Sequence, residues 1–200
     1  MPDEQPRKLV VAVSGGVDSM FLLDFLTRCN VRLHVAHVNH NLRPEALQEQ
    51  QFVQTTTKAL GLPFSTITCQ GIADAPSIEA EARRQRYEFL RSVKQDVNAF
   101  AIVTGHHLND QVETILLRLM RGAPHDRLGM VENNGDVFRP FLEVSKEEIL
   151  REATQRNLAW MEDSSNSDED FERNWVRHTL LPEMMKRRNV MKTIPSGLLK

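Results

Sequence analysis

Apolar residues recur along this chain in two rhythms. Short unbroken runs such as Val10-Val11-Ala12-Val13 are bounded by glycine or polar clusters, the pattern of strands buried on both faces. Between them lie longer stretches with apolar positions three and four apart, the pattern of helices packed on one side. The runs predict strands over 9–13, 32–38, 63–68 and 99–104. The longer stretches predict helices over 19–29, 45–60, 77–93 and 110–121, the second stopped by Gly61. Phe21, Leu22, Leu23, Phe25 and Leu26 leave the first helix little polar face, so it belongs against the sheet. Beyond Gly122 the rhythm changes. Glu132-Asn133-Asn134-Gly135-Asp136 reads as a turn, and Ser145 with Glu148 has capping-box spacing at the head of another helix. Strands alternating with helices predict an α/β fold with a doubly wound, Rossmann-like parallel sheet.

In such sheets ligands bind at the carboxyl ends of the strands. Three segments fall there: Ser14, Asn39 and Gly105-His106. The first opens the loop Ser14-Gly15-Gly16-Val17-Asp18-Ser19, in which the glycines let backbone approach a ligand closely and the following helix start suits an anion. No Lys follows the glycines, so this is not the GxxxxGK[ST] phosphate loop. Asp18 stands where that Lys is expected. A carboxylate beside phosphates needs a bridging cation, so a nucleotide ligand here implies Mg²⁺.

Three further clusters carry chemistry. In 105–114, Val112, Ile115, Leu116 and Leu119 form an apolar face, which leaves His106, Asp110 and Glu113 on one side of the first turns. A His₂-carboxylate metal site fits these types, but HExxH is absent and hard Mg²⁺ prefers the carboxylates. In 77–87, Arg83 and Arg86 stand one turn apart as two forks for phosphate, and Glu79 has i,i+4 spacing to Arg83. The same pattern fits a salt-bridged surface helix. In 160–178, an acidic loop with Glu162 and Asp163 precedes Arg173, Asn174, Arg177 and His178, a combination able to handle a cationic substrate and an anionic transition state. His34, His37 and His40 do not make a metal trio, because alternation puts His37 on the opposite face, although one of them can line a nucleotide pocket.

Two hundred residues, 40% hydrophobic and 26% charged, suit one globular domain with a small appendage. No apolar run reaches membrane-spanning length and the first residues lack a signal-peptide pattern, so a cytoplasmic protein without a membrane partner is expected. Cys29 and Cys69 are far apart without CxxC, so cysteine alone builds neither a zinc ribbon nor an iron–sulfur site. The net charge of −2 makes no global case for nucleic acid, although Lys186, Arg187, Arg188, Lys192 and Lys200 make the end locally basic.

SGGVDS resembles the pyrophosphate loop of the N-type ATP pyrophosphatases. With 37–43, EAEARRQRY, GHHLNDQVETILLRLMRGA, 138–142 and EDSSNSDEDFERNWVRHTLLPE, in that order and spacing from about 8 to 185, the chain resembles the catalytic domain of the tRNA(Ile)-lysidine synthetase family. The resemblance implies an adenine nucleotide alpha hydrolase-like fold and ATP-driven ligation of free L-lysine to C2 of the wobble cytidine of tRNA(Ile) with a CAU anticodon. That cytidine is first adenylated, AMP and pyrophosphate are released, and decoding changes from AUG to AUA. By motif position Ser14, Gly15, Gly16, Val17, Asp18 and Ser19 hold pyrophosphate, Asn39 lines the nucleotide pocket, and Asp18 with Asp110 binds Mg²⁺. His106, Arg83 and Arg177 polarise the α-phosphate or the intermediate, Arg173 and Asn174 support them, and Asp110 is also a candidate base for lysine. Glu162 and Asp163 are the expected grip on its ammonium groups.

The organisation implied is a catalytic domain over 1–185, with a substrate-side subregion from 126, then a basic tail over 186–200. Relatives usually continue into C-terminal tRNA-binding domains that 1–200 does not include, so weak, salt-sensitive tRNA affinity is expected of it, as is a possible homodimer. Two departures stand out. Asn109 replaces an acid common in relatives, with an amide oxygen still able to coordinate, and Pro124-His125-Asp126-Arg127 replaces a Gly-rich run. Competing readings are a 2-thiocytidine-type modifier, which needs the missing CxxC, and an ATP-binding fragment without turnover.

Overall fold

Five strands form one parallel sheet in the order β3-β2-β1-β4-β5. The computed structural model describes residues 6–162 and 172–187. In chain order the elements are β1 (Lys8–Ala12), α1 (Val17–Thr27), β2 (Arg32–Asn39), α2 (Ala46–Ala59), β3 (Phe64–Thr68), α3 (Ile78–Asp96), β4 (Ala101–Val103), α4 (Leu108–Met120), β5 (Val137–Phe138) and α5 (Lys146–Gln155). A last segment runs from α6 (Glu172–Trp175) through a π-helical stretch, Val176–Leu180, into α7 (Leu181–Arg187). The doubly wound parallel sheet expected from the alternation is thus present. Among the described residues no helix is long and apolar enough to cross a membrane.

Period-2 alternation divides the strands between two cores. Val11, Val13, Leu33, Val35 and Val103 face α1, Val53 of α2, and Ile149 and Ala153 of α5. Val10, Ala36, Ile102 and Val137 face Tyr87, Leu90 and Val93 of α3. The first helix is buried as its composition demands, with Leu22 and Leu23 at or near zero exposure. Each such side chain removed from water contributes about 1.5–3 kcal/mol. A third cluster joins Val112 and Leu117 of α4 to Val176 and Leu181, and so fastens the last helical segment to α4.

Several boundaries move for identifiable reasons. α4 starts at Leu108, two residues early, because His107 caps it in a reciprocal box with Asp110. α3 continues to Asp96 and ends before Asn98, which takes a positive φ of 49°. Gly61 has a φ of 66° just past α2, the left-handed stop its position predicts. At the head of α5, Ser145 and Glu148 form the expected capping box. β5 is new: two residues after the predicted turn pair Val103 with Phe138, too short a run to register as a strand in sequence.

Order 3-2-1-4-5 reverses winding between β1 and β4. The loop after β1 and the segment after β4 therefore flank one crevice.

Candidate active site

The loop at that crevice is organised by one hydroxyl. Ser19 Oγ accepts hydrogen bonds from the N–H groups of Ser14 (3.1 Å) and Gly15 (3.2 Å) and donates to the Gly16 carbonyl (2.9 Å). Gly15 adopts a φ of 106°, which an L side chain rarely tolerates. Gly16 starts α1 with no side-chain cap, so the first-turn amides suit an anion. Val17 turns its side chain into the core, leaving only its backbone to the loop. From the other side Gly105 presses on the loop. A Cβ there would sit 3.0 Å from the Asp18 carbonyl oxygen and 3.3 Å from Ser19 N, contacts with rigid backbone. The Met161 N–H donates to the Gly15 carbonyl at 2.9 Å, so the chain beyond α5 returns to the same loop.

A cavity of about 450 Å³ opens here. Of the expected residues, Ser14, Gly16, Asp18 and Ser19 line it from the loop, and Asn39, His106 and Asp110 from the neighbouring segments. Asn39 is committed elsewhere: its Nδ2 donates to Gln50 Oε1 (3.0 Å) and its Oδ1 accepts from Asn41 N–H (2.8 Å), which holds the turn into α2. Arg86, not Arg83, faces the cavity, and Arg83 lines a separate groove with its guanidinium over the Tyr87 ring. Glu79 lies 3.8 Å from Arg173. Asn109 Oδ1 accepts the Lys146 N–H at 2.9 Å, so the amide oxygen considered for coordination anchors α5. Glu162 is exposed beside Met161, and Asp163, Arg188, Lys192 and Lys200 lie outside the described residues.

The charged groups form one continuous chain. Lys146 Nζ donates to both Asp18 oxygens (2.6 and 2.7 Å). His107 Nδ1 accepts the Asp110 N–H at 3.4 Å, which puts the ring proton on Nε2. That Nε2 lies 3.6 Å from Asp18 Oδ1 and 3.6 Å from Asp110 Oδ2. Arg177 Nη2 is 3.5 Å from Asp110 Oδ1, and its Nε donates to Glu113 at 2.7 Å. Glu113, 1% exposed, also accepts from Arg173 Nε at 3.2 Å. Burial pushes Asp18 up, but the His107 contact and the Lys146 charge outweigh it and hold the carboxyl below its ordinary value. Oxygens of two aspartates thus lie on either side of His107 Nε2. They are of the type that a hard divalent cation shared with a phosphate chain takes, and here Lys146 Nζ holds both Asp18 oxygens, so such a cation would have to displace that ammonium.

His106 Nδ1 hydrogen-bonds Thr104 Oγ1 at 2.8 Å. Burial, with the charges of Arg86, Arg139 and Arg173, pushes its pKa down to about 4 against the opposing pull of Asp110. His40 is likewise held at about 4 by burial and by Arg86. Both are neutral at pH 7. Lys146 is the functional residue that sequence reasoning missed, and Glu113, named there only as one of three residues on one side of the first turns, is a buried anchor for two arginines. Lys146 shows only as the first residue of a capped helix, and Asp18 is 128 residues away.

The PP-loop domain family matches residues 1–184. A tRNA(Ile)-lysidine synthase of Thermus thermophilus is 40% identical over 183 residues, covering 90% of this chain and 36% of that protein. One from Streptococcus equi is 39% identical over 196 residues, covering 94% and 43%. The chain therefore spans about two-fifths of the length of such relatives. Among solved structures, a U34-tRNA thiolase from Methanococcus maripaludis superposes with a TM-score of 0.80 at 14% identity, over 98% of this chain and 72% of that one. An NH3-dependent NAD synthetase from Campylobacter jejuni does so at 0.57 and 17%, over 98% and 82%. Both likenesses are of fold.

Two outcomes follow from the geometry. Gly105→Ala should cost about 1–3 kcal/mol in urea denaturation and shift the backbone amide resonances of 14–19, as overpacking against rigid backbone requires. Unchanged resonances would contradict the close approach. Between pH 6.5 and about 4 the unfolded chain protonates His40 and His106 while the folded chain does not. Stability should be full above 6.5 and decline towards 4. His106→Gln should flatten part of that decline, and a urea midpoint constant across the window would refute it.

Proposed function

The chain belongs to the PP-loop domain family, and from that membership we propose that it uses ATP to ligate free L-lysine to C2 of the wobble cytidine of tRNA(Ile) with a CAU anticodon. The observation that carries the reading is the 40% identity, over 90% of this chain, to a protein named tRNA(Ile)-lysidine synthase. The chain spans 36% of that protein's length. Activity towards tRNA is accordingly a proposal for this domain.

The chemistry explains the arrangement. C2 of cytosine is a poor electrophile, so O2 first attacks the α-phosphorus of ATP, forming the O2–P bond as the bond to pyrophosphate breaks. The neutral ε-amine of lysine then attacks C2, loses a proton, and the C2–O bond breaks to release AMP. In this scheme the first-turn amides of α1, left without a side-chain cap, hold the departing pyrophosphate, and Ser19 Oγ fixes the loop by taking the Ser14 and Gly15 N–H groups. Mg²⁺ held by Asp18 and Asp110 would neutralise the phosphate oxygens. Arg177, fixed by Glu113, supplies a permanent cation beside Asp110, and Lys146 supplies another beside Asp18. His106, neutral at pH 7, acts through hydrogen bonding. In this reading Asp110, which lines the cleft beside Arg177, also receives the amine proton. Glu162, one residue from the loop contact of Met161, supports a role in receiving the lysine ammonium groups.

The test is incubation with ATP, radiolabelled lysine and unmodified tRNA(Ile). Label should enter tRNA with one AMP and one pyrophosphate released per lysine. ADP as product, or ATP bound without label transfer, would overturn the ligation reading.

A further inference from the structure

The second groove, of about 560 Å³, is lined by four arginines from four segments: Arg83 of α3, Arg118 of α4, Arg127 of the 3₁₀ turn after it, and Arg139 after β5. Asp126 is the one acidic residue lining it among those described. Elsewhere several arginines pair with carboxylates: Arg28 and Arg156 with Asp24, Arg84 with Glu81 and Glu88, Arg173 and Arg177 with Glu113. Here Arg139 is 4% exposed, and its Nη1 donates to the Val131 carbonyl at 2.8 Å. Its Nε, buried in the groove wall, has no hydrogen-bond partner among the described residues. A buried, unpaired donor beside further guanidinium groups is costly unless an anion completes it. Arg118 spends one nitrogen on the carbonyls of Arg127, Leu128 and Gly129, which shapes the wall from the segment where a Gly-rich run was expected.

The groove adjoins the cleft. Arg139 is close enough to disfavour protonation of His106 on one side and to bear on Arg118 on the other. Arg83 and Arg86, one turn apart on α3, face the groove and the cleft respectively. Met130, Val131 and Pro124 add apolar surface between the charges. Basic side chains tracking a path suit a single strand of nucleic acid, whose phosphates take the charges. We propose that this groove seats the RNA backbone next to the base that enters the cleft, one or two phosphodiesters meeting Arg83, Arg127 and Arg139. The proposal rests on the reading that the substrate is RNA.

Arg83 and Arg127 are exposed, so they can be changed without disturbing the core. The experiment is fluorescence anisotropy of the chain with two labelled RNA hairpins, one with the CAU anticodon loop and one with a scrambled loop, across about 50–200 mM salt. ATP binding and urea midpoint are measured in parallel. Arg83→Gln/Arg127→Gln should weaken both hairpins about tenfold and flatten the log–log salt slope by roughly 0.7 per lost phosphate contact. ATP affinity and urea midpoint should not move, and Arg83→Lys/Arg127→Lys should restore most of the slope. An unchanged slope, a parallel loss of ATP affinity, or displacement of RNA from the groove by inorganic pyrophosphate at equal concentration would overturn the assignment. Loss of slope in a chain that transfers no lysine would leave the groove standing and defeat only the ligation reading.

Discussion

One buried carboxylate sets the geometry of the cleft. Glu113 sits on α4 at 1% exposure, with guanidinium groups of Arg173 and Arg177 closing on both its oxygens. A charge at that depth persists only when paired, and removing one partner of such a pair costs about 3–5 kcal/mol. The apolar contact of Val112 and Leu117 with Val176 and Leu181 brings the last helical segment onto α4, and the ion pairs fix its register. From there the charges run without a break: Arg177 to Asp110, Asp110 to His107, His107 to Asp18, Asp18 to Lys146. Four elements thus hold one another through side chains that also face the crevice.

The nucleotide loop was legible in sequence because its requirements are local. Gly15 needs a positive φ, Ser19 reaches back four and five residues, and strand before with helix after is written in adjacent runs. The sheet was legible for the same reason, except β5, whose two residues carry no period. What escaped is tertiary. Lys146 looks like a helix start, and only the fold lays it on Asp18. Glu113 reads as one more polar residue near phosphate, whereas burial makes it the anchor of two arginines. Arg83 and Arg86 share a helical face to within one turn, so the sequence names the pair without separating the groove from the cleft. Asn109 shows the converse: an amide whose oxygen the sequence offered for coordination is occupied with the backbone of α5.

Electrostatics divide the molecule's anion-facing surface into two parts. In the cleft, carboxylates and cations alternate and satisfy one another. In the groove, positive charge stands almost alone. Neutral His106, kept so by burial and by Arg86 and Arg139, lies where the two meet. An overall charge of −2 hides this division, which is why composition made no case for nucleic acid although the groove concentrates positive charge.

The most direct test of the Glu113-centred account is lysine transfer and ATP binding by Glu113→Gln, under conditions where circular dichroism shows the variant folded. With Arg173 and Arg177 released, turnover should fall about 10²–10³-fold, the scale of losing a preorganised charge, while the ATP dissociation constant changes by less than about threefold because the loop is intact. Turnover within about threefold of the parent chain would contradict it.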